Sequence, residues 1–153
     1  MSDHWVTVIP QDPWFVPTVQ AQQQAAEYFS QIVADPDCVE VIIHEGVELH
    51  DCGCNLAGIL CPSCDEFLDE EWWDAWTGED YDVDRKTQTL TPRQLTCCGE
   101  SYSLHQLYYD FDRGFATFAL EAENPNVGEL SLEQKSNFEQ LLGCPIKVIY
   151  SHL

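Results

Sequence analysis

Residues 115–150 read FATFALEAENPNVGELSLEQKSNFEQLLGCPIKVIY, and this stretch decides the fold. Phe115 to Ala122 is a β-prone run, broken by Asn124-Pro125-Asn126. Ser131 with Gln134 three residues on has the capping-box spacing that opens a helix. Leu132, Phe138, Leu141 and Leu142 then recur so that they can face a core. Gly143 is placed to stop that helix, with Pro145 just beyond, and Ile146 to Tyr150 is β-prone again.

Working outward, the N-terminal part repeats this order. Trp5 to Ile9 reads as a strand stopped by Pro10 and Pro13. A helix is expected from Pro17 or Thr18 to Ala34, with Ala21, Ala25, Tyr28, Phe29, Ile32 and Val33 at helical spacing. Gln20, Gln22, Gln23, Gln24 and Glu27 are expected on its wet face, and Asp35-Pro36 ends it. Val39 to Ile43 is a second strand, Glu45-Gly46 reads as a turn, and Val47 to His50 is expected to pair back as a hairpin. The order β, α, β, then β, α, β implies an α+β fold: a ferredoxin-like split βαβ sheet with two helices on one face. One domain is expected over 1–153, with a core of 1–50 and 101–153. Residues 51–100 read as a zinc-ribbon-like insertion between the second and third core strands, because cysteines, glycines, prolines and acids replace β patterning there. After it, Ser103 with Gln106 suggests a short helix carrying Leu104, Leu107 and Tyr108.

Inside the insertion, Cys61-Pro62-Ser63-Cys64 is a C-x-x-C pair, and 32 residues separate it from Cys97-Cys98-Gly99. Two thiolates three positions apart on a tight turn converge on one cation, and a second pair from a distant loop completes a tetrahedron. Zinc accepts four such thiolates, which leaves no position open for water or substrate and makes the site structural. The ion would also close a long loop in a region expected to have little core of its own. Adjacent cysteines are not expected to follow the usual knuckle geometry. Cys52, Cys54, His50 and His105 are the substitute ligands, and Cys38 and Cys144 read as small core residues.

The charge balance restricts partners. The chain carries 27 Asp and Glu against six Lys and Arg, for a formal net charge of -21. Such a surface repels nucleic acid and anionic membrane and attracts basic proteins. No apolar run reaches membrane-spanning length. The N-terminal residues lack a basic region followed by an apolar run, so the expected compartment is the cytoplasm, where eight cysteines stay reduced. No phosphate-binding glycine loop and no matched nucleophile and base can be read. Asp110 and Asp112 read as turn residues before a strand, with Gly114 allowing an unusual backbone angle.

Asp65 to Asp84 contains ten acids, no basic residue, and Trp72, Trp73 and Trp76. As a helix it gathers Leu68 and the three tryptophans into one apolar stripe. Two readings stay open: a solvated helix whose tryptophans supply core, or a docking face with an exposed tryptophan as anchor. The docking reading uses Asp69, Glu70, Asp74, Trp76, Glu79 and Asp80.

CPSC, an acidic Trp-Trp segment, CCG, a Ser-Leu pair, a Tyr-Asp pair and GFATF together resemble a set of small uncharacterised bacterial proteins with an inserted CPxC…CCG zinc ribbon. The likeness spans most of the chain. In that set the first knuckle tends to read CPxCG, so Asp65 departs from the pattern without removing a ligand. The resemblance implies the metal site and a bacterial source, and no mechanism.

The expected function is therefore a non-enzymatic acidic binding protein that fills the basic cleft of another protein, as an immunity or inhibitor protein does against a toxin. The alternatives are a metal-dependent enzyme, which needs an open coordination position, and a zinc-ribbon adaptor in another bacterial complex.

Overall fold

The computed structural model describes residues 4–33, 35–51, 58–109, 113–125 and 127–152. In chain order these form β1 (His4–Pro10), α1 (Val19–Ile32), a 3-10 turn (Pro36–Cys38) and β2 (Val39–Asp51). Then come β3 (Ile59–Leu60), α2 (Glu70–Asp80), β4 (Tyr81–Asp82), β5 (Thr87–Gln88), β6 (Arg93–Gln94) and β7 (Ser101–Tyr102). A second 3-10 turn (Leu104–Gln106), β8 (Tyr108–Tyr109), β9 (Arg113–Glu123), α3 (Leu132–Leu142) and β10 (Ile146–His152) complete a mixed α+β chain.

The four long strands make one antiparallel sheet in the order β10-β1-β9-β2. α1 joins β1 to β2 and α3 joins β9 to β10, and the expected signals set their ends. Thr18 caps α1 through a hydrogen bond from the Ala21 N–H to its Oγ1 at 3.1 Å. Ser131 and Gln134 form the capping box of α3, and Gly143 ends it in a left-handed conformation, φ 78°. The helices meet edge to face through Phe29 and Phe138, with ring centroids 5.2 Å apart. Both rings are buried with Val6, Val8, Phe118 and Leu120 of the sheet.

Three local expectations are corrected. Leu132 opens α3 and is 85% exposed, because its place in the first turn points it away from the sheet. Gln22 is buried rather than wet, and its Nε2 donates to the Pro17 carbonyl at 2.8 Å. The stretch 39–51 is one long strand with a register shift between Ile43 and Glu48, not a hairpin. Gly46 is there for space: a Cβ would lie 2.3 Å from Thr87 Cβ. The Thr87 hydroxyl oxygen also accepts a hydrogen bond from the Val47 N–H at 2.8 Å.

The excursion from the sheet leaves after Asp51 and returns at Arg113, two residues that face each other in the β2–β9 ladder. It therefore reaches beyond residue 100. The expected helix after Ser103 is a single 3-10 turn, and Tyr108 belongs to β8, which pairs with β3. Two further small ladders, β4–β5 and β6–β7, complete it. Leu104 and Leu107 join Cys61, Leu68, Trp73, Trp76, Leu90 and Leu95 in a second core, closed against Val47 and Phe115 of the sheet. The expectation of little core in this region is thus overturned. Phe115 belongs to this second core, whereas Phe118 and Leu120, three and five positions on, belong to the core under the helices.

Candidate metal centre

Two tight loops carry the cysteines that the sequence singled out. In the first, Cys61 N–H donates to the Glu66 carbonyl at 3.0 Å, and Asp65 N–H donates to the Cys61 carbonyl at 3.0 Å. Asp65 is left-handed, φ 58°. In the second, Leu95 N–H donates to the Glu100 carbonyl at 2.8 Å, and Gly99 N–H donates to the Leu95 carbonyl at 3.0 Å, with Gly99 at φ 80°. The loops are therefore equivalent position by position. Cys61-Pro62-Ser63-Cys64-Asp65-Glu66 matches Leu95-Thr96-Cys97-Cys98-Gly99-Glu100.

The two sulfurs of the adjacent pair do not take the usual knuckle positions, because Leu95 holds the place of the first cysteine. The backbone of that loop does follow knuckle geometry. Leu95 is buried in the second core, while Cys97 supplies a sulfur from the third position. Asp65 does the left-handed work that Gly99 does in the other loop. Aspartate is one of the few residues with a side chain that tolerates this region.

The four sulfurs of Cys61, Cys64, Cys97 and Cys98 all lie within 4.8 Å of one another, and Cys61 Sγ is 3.6 Å from Cys98 Sγ. Four thiolates each about 2.3 Å from one tetrahedral ion would stand about 3.8 Å apart, so this donor set fits a metal ion. Cys61 is buried and the other three are exposed. Burial alone would raise the Cys61 thiol, but the Cys64 and Ser63 N–H groups and its neighbouring thiols bring it down to about 7. Burial first, and then the sulfurs of Cys64, Cys61 and Cys98, push Cys97 up to about 12. A cluster this close releases all four protons readily only when a cation takes their place.

The surroundings brace both loops. Ser63 N–H points to Cys61 Sγ at 3.4 Å, and the hydroxyls of Ser63 and Tyr102 are hydrogen-bonded. Gln94 Nε2 donates to the Gly99 carbonyl at 3.0 Å. The parts of Leu95, Tyr102 and Ser63 were not read from the sequence. The available signal was the shared six-residue frame, with cysteine fourth and glutamate sixth in both loops.

The proposed substitute ligands lie elsewhere or outside the described residues. His50 Nε2 faces His44 Nε2 at 3.0 Å, and His105 packs its ring edge to face with Trp14. Cys52, Cys54, Asp110 and Asp112 fall outside the described residues. Cys38 and Cys144 are half-buried against the helix-side core. Gly114 has no left-handed backbone; a Cβ there would lie 2.7 Å from Ile9 Cδ1, so the tip of the Ile9 side chain would have to move.

The proposed partner face is divided by the fold. Asp69 caps α2 by accepting from Trp72 N–H at 3.3 Å, and Glu70 and Asp74 are exposed. Glu79 is exposed but pairs with Arg93 at 2.7 Å. Trp76 is only 1% exposed and Asp80 only 7%, so neither is available to a partner. Trp76 fills the second core. Asp80 accepts hydrogen bonds from Gln88 Nε2, the Thr89 hydroxyl, and the Leu90 and Thr91 N–H groups, at 2.8 to 3.1 Å.

No family model, curated protein or solved structure matches the chain. The geometry of its own residues therefore carries the functional reading. No helix among the described residues is long and apolar enough to cross a membrane.

Proposed function

We propose that this chain is a non-enzymatic acidic docking protein that occupies the basic cleft of another protein, as immunity and inhibitor proteins do. In this reading the four long strands and two helices are a ferredoxin-like frame. A structural zinc on Cys61, Cys64, Cys97 and Cys98 fixes the excursion that the frame displays. The strand order β10-β1-β9-β2 supports the frame, and the close sulfurs support the staple.

The observation that carries the docking reading is where the positive charge goes. Arg85 reaches Asp82 at 3.8 Å, Lys86 reaches Glu45 at 3.5 Å and Arg93 reaches Glu79 at 2.7 Å. Arg113 is buried, and Lys147 turns its ammonium onto the Arg113 carbonyl. Five of the six basic side chains thus meet a partner within the chain, two of them at the surface, in a chain of net charge -21. Glu70, Glu71 and Asp74 are exposed on α2, and Phe67, three residues ahead of the helix, is exposed as well. Such a surface steers a basic partner quickly and loses grip as salt rises.

The test is capture of a basic protein by the tagged, metal-loaded chain at low salt, repeated with Glu70→Lys/Glu71→Lys/Asp74→Lys. Capture should fall sharply in the reversed variant and in high salt. A partner held equally by both forms would sink the reading. Metal analysis should find one zinc per chain, with four sulfur neighbours by X-ray absorption. A nitrogen or oxygen neighbour would reopen the enzyme reading.

A further inference from the structure

A cavity of about 270 Å³ lies between the sheet and the excursion, where β1 ends and β9 begins. Its walls include Gln11 just past β1, His105 on the 3-10 turn, Tyr109 on β8, Arg113 and Phe115 on β9, and Lys147 on β10. The chemistry of this wall is opposite to that of the rest of the chain. Two of the six Lys and Arg residues line it together with a histidine. None of its described lining residues is an acid, although the chain has 27 Asp and Glu.

These side chains are held in place. The Arg113 guanidinium carbon stands 4.3 Å from the Trp73 ring centroid and 6.0 Å from that of Tyr109. Lys147 Nζ donates to the Arg113 carbonyl and lies 5.7 Å from the Tyr109 ring centroid. The Tyr109 hydroxyl accepts from Trp73 Nε1 at 3.1 Å and donates to the Leu104 carbonyl at 2.6 Å. Burial drives that phenol well up, so it adds no negative charge. His105 Nδ1 is buried without a hydrogen-bond partner among the described residues. Leaving a buried polar atom in that state is costly, and a bound ligand atom can recover the cost.

We propose that this cavity binds a small oxyanion, a carboxylate or a phosphate, through Arg113, Lys147 and His105. A guanidinium fork and an ammonium together suit a group that presents two or three oxygens. His105 completes the set as a neutral imidazole that donates from Nδ1. Burial lowers its pKa, against the charge of Asp12. The volume lies below the usual range of roughly 300–1,000 Å³ for larger organic ligands, so the occupant is small. Phe115 gives a carboxylate bearing a short alkyl group an apolar wall to lie on. This site is independent of the docking reading.

The test is a titration of the ¹⁵N-labelled, metal-loaded full chain, followed by NMR, with inorganic phosphate in one arm and propionate in the other. Chloride keeps the ionic strength constant in both arms. At least one probe should give saturable shifts at the Gly114 and Lys147 amides. Preference for phosphate would identify a phosphate site, and preference for propionate a carboxylate site. Lys147→Met and His105→Gln should each weaken that probe by about tenfold or more, while Lys147→Arg should hold it within about threefold. If Lys147→Met does not fold, the His105→Gln and Lys147→Arg pair decides the matter. No saturable shift with either probe up to about 20 mM would overturn the proposal. Equal affinity in wild type and His105→Gln would overturn it as well.

Discussion

The guanidinium of Arg113 stacks on the indole of Trp73, with 4.3 Å between the guanidinium carbon and the ring centroid. Arg113 is the first residue of β9 and Trp73 lies in the first half of α2, so this contact ties the excursion to the sheet. A desolvated cation–π pair is worth about 2 kcal/mol. Arg113→Met keeps much of the side-chain volume and loses the charge, so thermal unfolding should show a loss of about 1–2 kcal/mol. Trp73→Leu should cost more, because it also removes packing in the second core. Equal stability of Arg113→Met and wild type would show that the stack contributes nothing.

The equivalence of the two cysteine loops can be tested by moving a ligand. Cys97→Ser should lower metal affinity at least tenfold, because it removes one of four sulfurs. The double variant Leu95→Cys/Cys97→Ser creates a regular C-x-x-C in the second loop and should restore binding. Metal content per chain and competition with a chromophoric chelator report both. Failure of the double variant to recover any affinity would mean that the backbone match does not carry over to the sulfur position. Chelator treatment of the wild type should loosen the loops around Cys64 and Cys98 first. The second core should keep α2 partly ordered, which hydrogen exchange can follow.

Asp80 organises the turn from Gln88 to Thr91. Its carboxylate takes four hydrogen bonds, and Leu90, which it anchors, has a left-handed backbone at φ 54°. Asp80→Asn keeps the shape but turns one acceptor into a donor facing N–H groups. That should cost about 2–4 kcal/mol, read from denaturant unfolding. Asp74→Asn, an exposed change on the same helix, should fall within about 0.5 kcal/mol of wild type.

His50 sets an acid limit. Burial first, and then the neighbouring His44, lower its pKa to about 4 from the ordinary 6.5. The unfolded chain therefore binds this proton more tightly than the folded one. The stabilisation is fully present above pH 6.5 and is lost as pH falls toward 4. The loss should approach about 3 kcal/mol. His50→Gln should remove this component, so the wild-type and variant stability curves should converge as the pH drops through that window. Acid release of metal affects both proteins and cancels in the comparison. Parallel curves from pH 7 to pH 4 would contradict the assignment.

Much of the frame was legible because local signals carry it. Thr18, the Ser131–Gln134 box and Gly143 fix helix ends through short-range hydrogen bonds and backbone angles, and sequence shows these directly. The single strand through Glu45-Gly46 was not legible. Gly46 looks like a turn residue, yet it is required by Thr87, forty-one positions away, which leaves no room for a side chain. Only the docking reading puts Trp76 and Asp80 on the surface, and it does so because acidic residues surround them. Their burial depends on Leu90 and Leu95 and on the turn at 88–91, none of which has a helical or strand period. The cysteine cluster was legible from spacing. The exchange of ligand position between Leu95 and Cys97 becomes visible only when the two loops are laid over one another.

Asp51 and Arg113 face each other across the β2–β9 ladder, so the whole excursion hangs from a single rung of the sheet. A segment rooted in this way behaves as a cassette. Evolution can lengthen, trim or exchange it without rethreading the strands beneath, provided Val47, Leu49 and Phe115 stay covered. What the molecule recognises can then diverge quickly between lineages, while the part that must fold stays the same.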